Sequence, residues 1–200
     1  MQGSWILKDR LKRHEYWHAD LDAQGLTRWH WHYRWTRPEI YFVKRLRAVE
    51  LWRAVGQKYL LARPLYLFFR FRFGFLSERY GFTIPLGVFG PGLSIAHVGT
   101  IVVNSDARIG RDCRLHHGVT IGAIRGLAPE IGNEVFIGPG AGVYGGITVG
   151  DRVHIGPGVV ITTDVPADSV VLPQRNIVRD QSHPTWRDDV RSRKSLTDIQ

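Results

Sequence analysis

The 200-residue chain has one cysteine, Cys113, and one methionine. A lone cysteine excludes an intramolecular disulfide framework and suits a reducing compartment. No uncharged apolar run approaches the roughly 18 residues of a spanning helix, so no membrane span is expected. The opening MQGSWILKDRLKRHEYW lacks a long apolar stretch with a small-residue cleavage site, so no secretory signal is expected and the chain reads as cytoplasmic. Acidic residues are scarce at one end only. Residues 1–80 carry 16 Lys/Arg against 7 Asp/Glu, whereas residues 81–200 carry 11 of each. The whole formal charge of +9, and six of the seven tryptophans, therefore lie in the first 80 residues.

Two unlike parts follow from this. In the front part, Phe42, Leu46, Val49, Trp52 and Val55 keep helical spacing between Pro38 and Pro64, which predicts a helix over 39–62. Pro64 should interrupt it, with a second helical stretch over Leu65–Leu76. Arginine interleaved with Trp, Tyr and Phe suits packing on the rest of the chain, or an anionic membrane surface with the rings at headgroup level. It also suits nucleic acid through phosphate contacts and stacking. The readings carried forward are packing, with peripheral association of residues 1–80 at the inner membrane face; nucleic acid is set aside. A second expected duty is to cap an open sheet end.

The back part is organised by a period of six. Counting back from Ile161, every sixth residue is Ile155, Val149, Val143, Ile137 and Ile131. Glycine often follows, as at Gly156, Gly150, Gly138 and Gly132. The register slips by four residues across AIRGLAPE and resumes at Ile121, Leu115, Ile109 and Val103. A helix repeats at 3.6 and an isolated strand at 2, so neither accounts for this. Glycine-rich hexapeptides with one inward aliphatic each predict a parallel β-helix, three hexapeptides to a coil. The expected organisation is a helical region over 1–80, the β-helix over 81–178 and a polar tail over 179–200.

Two residues on this frame carry chemistry. Cys113 falls at a small inward position, which predicts a buried, inert thiol. One step back from Val103 lands on His97, an imidazole where the register demands an inward aliphatic. On an 18-residue coil, position 115 lies above 97, which puts His116 and His117 beside it.

IAHVGTIVV, ARIGRDCRLHHGVTIG and PEIGNEVFIGPGAGVYGGITVGDRVHIGPGVVITTDVP resemble the serine acetyltransferase branch of the hexapeptide acyltransferases. SERYGFTIPLGVFGPGLSIAHVGTIVVN resembles more closely the sugar O-acetyltransferases of capsule and exopolysaccharide pathways. The resemblance implies a left-handed β-helix, a homotrimer with active sites between neighbouring prisms, and acetyl-CoA as acetyl donor. It implies His97 as the general base, since acetyl transfer to a hydroxyl needs a proton acceptor within hydrogen-bond reach and imidazole serves at neutral pH. It implies Gly122, Ala123, Pro139, His154 and Pro157 along the coenzyme; His116 and His117, by their coil position beside 97, are either substrate-binding residues near the acceptor or decoration of the outer wall.

The pattern also departs from the serine enzymes. Ala96 replaces the aspartate before their histidine, and Leu127 and Ala128 replace an Arg-His pair. A zwitterionic acceptor would leave its charges unpaired there. The expectation is therefore a carbohydrate acceptor, with serine as the alternative. Two other classes use the same residues: a γ-class carbonic anhydrase with three histidines on zinc across an interface, whose histidine spacing fits less well, and a non-catalytic trimeric scaffold, against which His97 speaks.

Overall fold

The computed structural model describes residues 12–173; the segment 179–200 lies outside the described residues. The chain begins with helices α1 (Lys12–Ala23), α2 (Tyr33–Thr36), α3 (Pro38–Lys58) and α4 (Arg63–Tyr80), with a 3-10 turn at Leu60–Ala62 between the last two. Pro38 occupies the first turn of α3, where a missing N–H costs no hydrogen bond. The helix stops at Lys58, short of the expected 62, because Tyr59 is extended (φ −123°, ψ 111°). Pro64 lies in the first turn of α4, which runs to Tyr80 and ends on Gly81 in the left-handed region (φ 71°). Phe42, Val43, Leu46 and Val49 of α3 are buried. The Phe42 ring meets Phe73 of α4 at 5.0 Å and Phe82, the first strand residue, at 4.7 Å. The helices and the β-helix thus share one core.

Thirteen short strands follow: β1 Phe82–Thr83, β2 Ser94–Ile95, β3 Ile101–Val103, β4 Arg108–Ile109, β5 Arg114–Leu115, β6 Thr120–Gly122, β7 Glu130–Ile131, β8 Phe136–Ile137, β9 Gly142–Tyr144, β10 Thr148–Val149, β11 His154–Ile155, β12 Val160–Ile161 and β13 Val170–Val171. All pair in parallel, in three flat faces: β1-β3-β6-β9-β12 (face I), β4-β7-β10 (face II) and β2-β5-β8-β11-β13 (face III). This is a left-handed β-helix of about five turns. All ten aliphatic residues of the six-residue register point inward and are buried. The glycines after them stack where coils touch. A Cβ on Gly110 would lie 2.6 Å from the Gly132 carbonyl oxygen, so the corner between faces II and III closes only without side chains.

The four-residue slip is the hairpin Ile124–Leu127, whose backbones exchange two hydrogen bonds (2.9 and 3.0 Å) across Arg125 and Gly126, both at positive φ. A second irregularity has no counterpart in the expected register. Ile95 pairs with Leu115, and Phe89 bridges Ile109, each twenty residues apart. Two extra residues enter between Ile95 and Val103. The inward slot assigned to His97 is therefore filled by Ile95, fully buried, and His97 lies in the exposed turn after β2. Leu115 thus stacks above Ile95, and His117 above Gly99.

The open end of the prism is met by polar side chains from the helices. No strand lies beyond β2 on face III among the described residues. There Asp20 of α1 accepts the Leu93 N–H (2.8 Å), and the Gln24 amide, just after α1, donates to the Ile95 carbonyl (3.1 Å). Arg47 of α3 donates to the Phe89 and Gly90 carbonyls (3.1 and 2.6 Å) and pairs with Asp20 (2.8 Å) and Glu50 (3.1 Å). Glu50 in turn accepts the Gly87 N–H at 2.7 Å. Backbone groups that a further coil would have satisfied are thereby paired. Burial opposes the Arg47 charge, but Glu50 and Asp20 outweigh it and hold its pKa above the ordinary value.

Cys113 is buried between coils, its Sγ 3.3 Å from the Gly132 carbonyl oxygen. Burial pushes the thiol up to about 12. Because the thiolate is the reactive form, the native protein should consume no aromatic disulfide reagent at pH 8 until denaturant is added. Stoichiometric reaction of the folded protein would contradict the burial. Among the described residues no helix is long and apolar enough to cross a membrane.

Candidate active site

The corner between faces III and I gathers most of the residues singled out in the sequence. Gly99 (φ 150°) makes this possible, since a Cβ on it would fall 2.8 Å from the His117 Cβ. With glycine there, the turn 96–100 closes against the next coil, and the His97 ring lies 5.9 Å from His116 and 6.2 Å from His117, centroid to centroid. Above His116 the rings continue up face III: Phe136 at 5.0 Å, then His154 stacked on Phe136 at 4.2 Å. His97 and His154, expected to serve the base and the coenzyme respectively, are the ends of one ladder of rings.

The corner itself is a ridge. His117–Gly118, Pro139–Gly140 and Pro157–Gly158 repeat the same turn one coil apart, each glycine at positive φ. Their backbones are linked: the Gly140 N–H donates to the His117 carbonyl (3.0 Å) and the Gly158 N–H to the Pro139 carbonyl (2.9 Å). Among the described residues a Cβ on Gly158 would meet nothing within 4 Å, so no described side chain covers the ridge there.

Gly122 and Ala123 lie apart from this corner. They stand at the far edge of face I, five residues along from Gly118 to Ala123, about 15 Å at a strand's rise per residue. Gly122 also has a packing reason to be glycine, because the Tyr144 ring covers it and a Cβ would come within 2.7 Å of that ring. Within one chain, then, Pro139 and Pro157 fall at one edge of face I, Gly122 and Ala123 at the other, and His154 on face III.

Arg114 was not singled out in the sequence. It points outward from β5, one residue before inward Leu115, and donates to the Ser94 hydroxyl at 3.1 Å. Burial lowers the His116 pKa, and the charges of Arg114, His97 and His117 lower it further. His116 is accordingly neutral at pH 7, and Arg114 brings a guanidinium to the cluster. Among the described residues no group of three His, Cys, Asp or Glu side chains is arranged to hold a metal ion.

Fold and repeat together define the class: a hexapeptide-repeat, left-handed β-helix protein of the kind found in bacterial transferases. A family model described as bacterial transferase hexapeptide (six repeats) matches residues 128–163. The chain is 36% identical over 118 residues to a serine acetyltransferase of Helicobacter pylori, covering 57% of this chain and 66% of that one. To the serine acetyltransferase of Mycobacterium tuberculosis it is 34% identical over 105 residues, half of this chain and 46% of that one. Among solved structures, Neisseria gonorrhoeae serine acetyltransferase in complex with serine superposes with a TM-score of 0.60 at 26% identity, covering 86% of this chain and 70% of that one. Entamoeba histolytica serine acetyltransferase 1 in complex with L-cysteine gives 0.63 at 27%, covering 84% and 66%. The chain spans two thirds or less of the length of these curated relatives.

These comparisons overturn the carbohydrate acceptor. The relatives and the solved structures alike are named serine acetyltransferases, not capsule or exopolysaccharide enzymes. The expectation rested on neutral residues at 96, 127 and 128. It counted charge only at positions fixed by the relatives' pattern and so left out Arg114, which lies elsewhere on face III.

Proposed function

We propose that this chain is an acetyl-CoA-dependent serine O-acetyltransferase with His97 as general base. The observation that carries this reading is the exposed His97 at the foot of the Pro139–Pro157 ridge, its ring 5.9 Å from that of His116, in a β-helix whose relatives bear that name. Acetyl-CoA supplies an activated acyl group as a thioester. His97 takes the proton from the serine hydroxyl as that oxygen attacks and returns it to the departing thiolate. Arg114 holds the serine carboxylate, and His116 and His117 wall the acceptor. The ridge of Pro139–Gly140 and Pro157–Gly158 fits an extended pantetheine arm, and His154 lies further up the same face. Gly122 and Ala123 reach such a site from a neighbouring copy, which supports a homotrimer in which each cleft takes one edge from each of two chains.

Thiol release from acetyl-CoA should depend on added serine and not on a panel of hydroxyl compounds lacking the amino-acid charges. Absence of serine-dependent release would refute the acceptor. Arg114→Gln should raise the KM for serine about tenfold or more, as a charged hydrogen bond is lost, with kcat little changed. Light scattering should find three copies; a monodisperse monomer with full activity would refute the shared cleft.

A further inference from the structure

Helix α4 is apolar on two sides. One side packs: Tyr66, Phe69, Phe73, Leu76 and Tyr80 lie in or against the shared core. The other is bare: Leu67 is 61% exposed, Phe68 53%, Phe71 67% and Phe75 59%, and Leu61, just before the helix, is 96% exposed. Side chains three and four apart share a helix face, so these residues form one stripe, with Phe71 and Phe75 in edge contact at 4.8 Å. A helix apolar all round is normally covered all round, and an exposed patch of this kind marks an interaction surface.

Charge decides what covers it. From residue 51 to residue 77 the chain has five cations, Arg53, Lys58, Arg63, Arg70 and Arg72, and no acid. By helical position, Arg63 and Arg70 flank one border of the stripe and Arg72 and Arg79 the other, with the Arg72 guanidinium 5.8 Å from the Phe68 ring. Glu78 closes the stripe at its C-terminal end. A second copy docking through this same surface would set arginine against arginine; an anionic surface would not. We propose that the exposed face of α4 is an interfacial anchor that lies in the headgroup region of an anionic bilayer, phenylalanines inserted and arginines on lipid phosphates. This rests on the helix alone, not on the acceptor or the catalytic role of His97.

The test is co-sedimentation of the full chain with vesicles of phosphatidylcholine alone and of phosphatidylcholine with phosphatidylglycerol. Binding should require the anionic lipid and weaken as salt rises. Arg70→Gln/Arg72→Gln should lower the partition coefficient about thirtyfold, and Phe71→Ser/Phe75→Ser by about tenfold or more. Because these side chains are exposed, both variants should keep the wild-type melting temperature and serine-dependent thiol release. No binding to anionic vesicles, equal binding to neutral ones, or unchanged binding by the variants would overturn the proposal. So would a phenylalanine variant whose only change is a smaller assembly by light scattering, which would assign the face to a second copy.

Discussion

Replacing His97 with alanine should lower kcat/KM for serine-dependent acetyl transfer by roughly two to four orders of magnitude, the usual contribution of a positioned general base. The loss should fall on kcat, since the imidazole acts as the proton moves. Because the ring is exposed in the turn after β2 and makes no hydrogen bond among the described residues, the melting temperature should stay within a degree or two. That pairing of large kinetic loss and unchanged stability separates a base from a packing histidine. His97→Asn keeps hydrogen-bonding capacity without a proton acceptor at neutral pH, so it should be nearly as impaired. A variant retaining a third of wild-type activity would remove His97 from the chemistry. If His116 and His117 wall the acceptor as proposed, His116→Ala and His117→Ala should raise the serine KM more than they lower kcat.

The second large effect concerns stability. Arg47→Met should destabilise the fold by about 3–5 kcal/mol, the usual consequence of removing one partner from a buried ion pair. Methionine fills much of the volume, so the loss comes from what the guanidinium leaves behind. Asp20 and Glu50 lose their partner beside the core, and the Phe89 and Gly90 carbonyls lose their donor. Denaturant unfolding followed by circular dichroism reads this directly. A loss under about 1 kcal/mol would mean that water reaches these groups. Exposed pairs such as Arg108–Glu130 and Arg111–Asp112 should each contribute less than about 1 kcal/mol to the same assay.

The prism was legible in the sequence because each of its inward positions demands the same kind of residue, and ten aliphatics spaced by six suit neither a helix nor a lone strand. The four-residue slip was legible for the same reason: aliphatics stop and restart. The two-residue insertion at the first coil was not. Ile95 and Ile101 both fall on the two-before positions of the register, so adding two residues leaves the apolar pattern unbroken and His97 falls in phase by coincidence. His97 was therefore singled out on a register that does not extend to it. Arg114 was passed over because an outward arginine on a strand two residues long looks like any solvated charge until Ser94 and His116 are placed around it. Gly122 was read as a coenzyme contact on the resemblance alone; that Tyr144, twenty-two residues on, packs over it is not legible in the local pattern. The carbohydrate acceptor was inferred from neutral residues at 96, 127 and 128, and the relatives named serine acetyltransferases speak against it.

The amide of Gln24 grips the Ile95 carbonyl only two residues before His97. Cutting the chain at the helix–strand junction would thus strip away more than ballast: it would unpin the floor on which the reactive turn rests. A repeat domain excised from residue 81 onward should lose acetyl transfer before it loses its β-sheet signal.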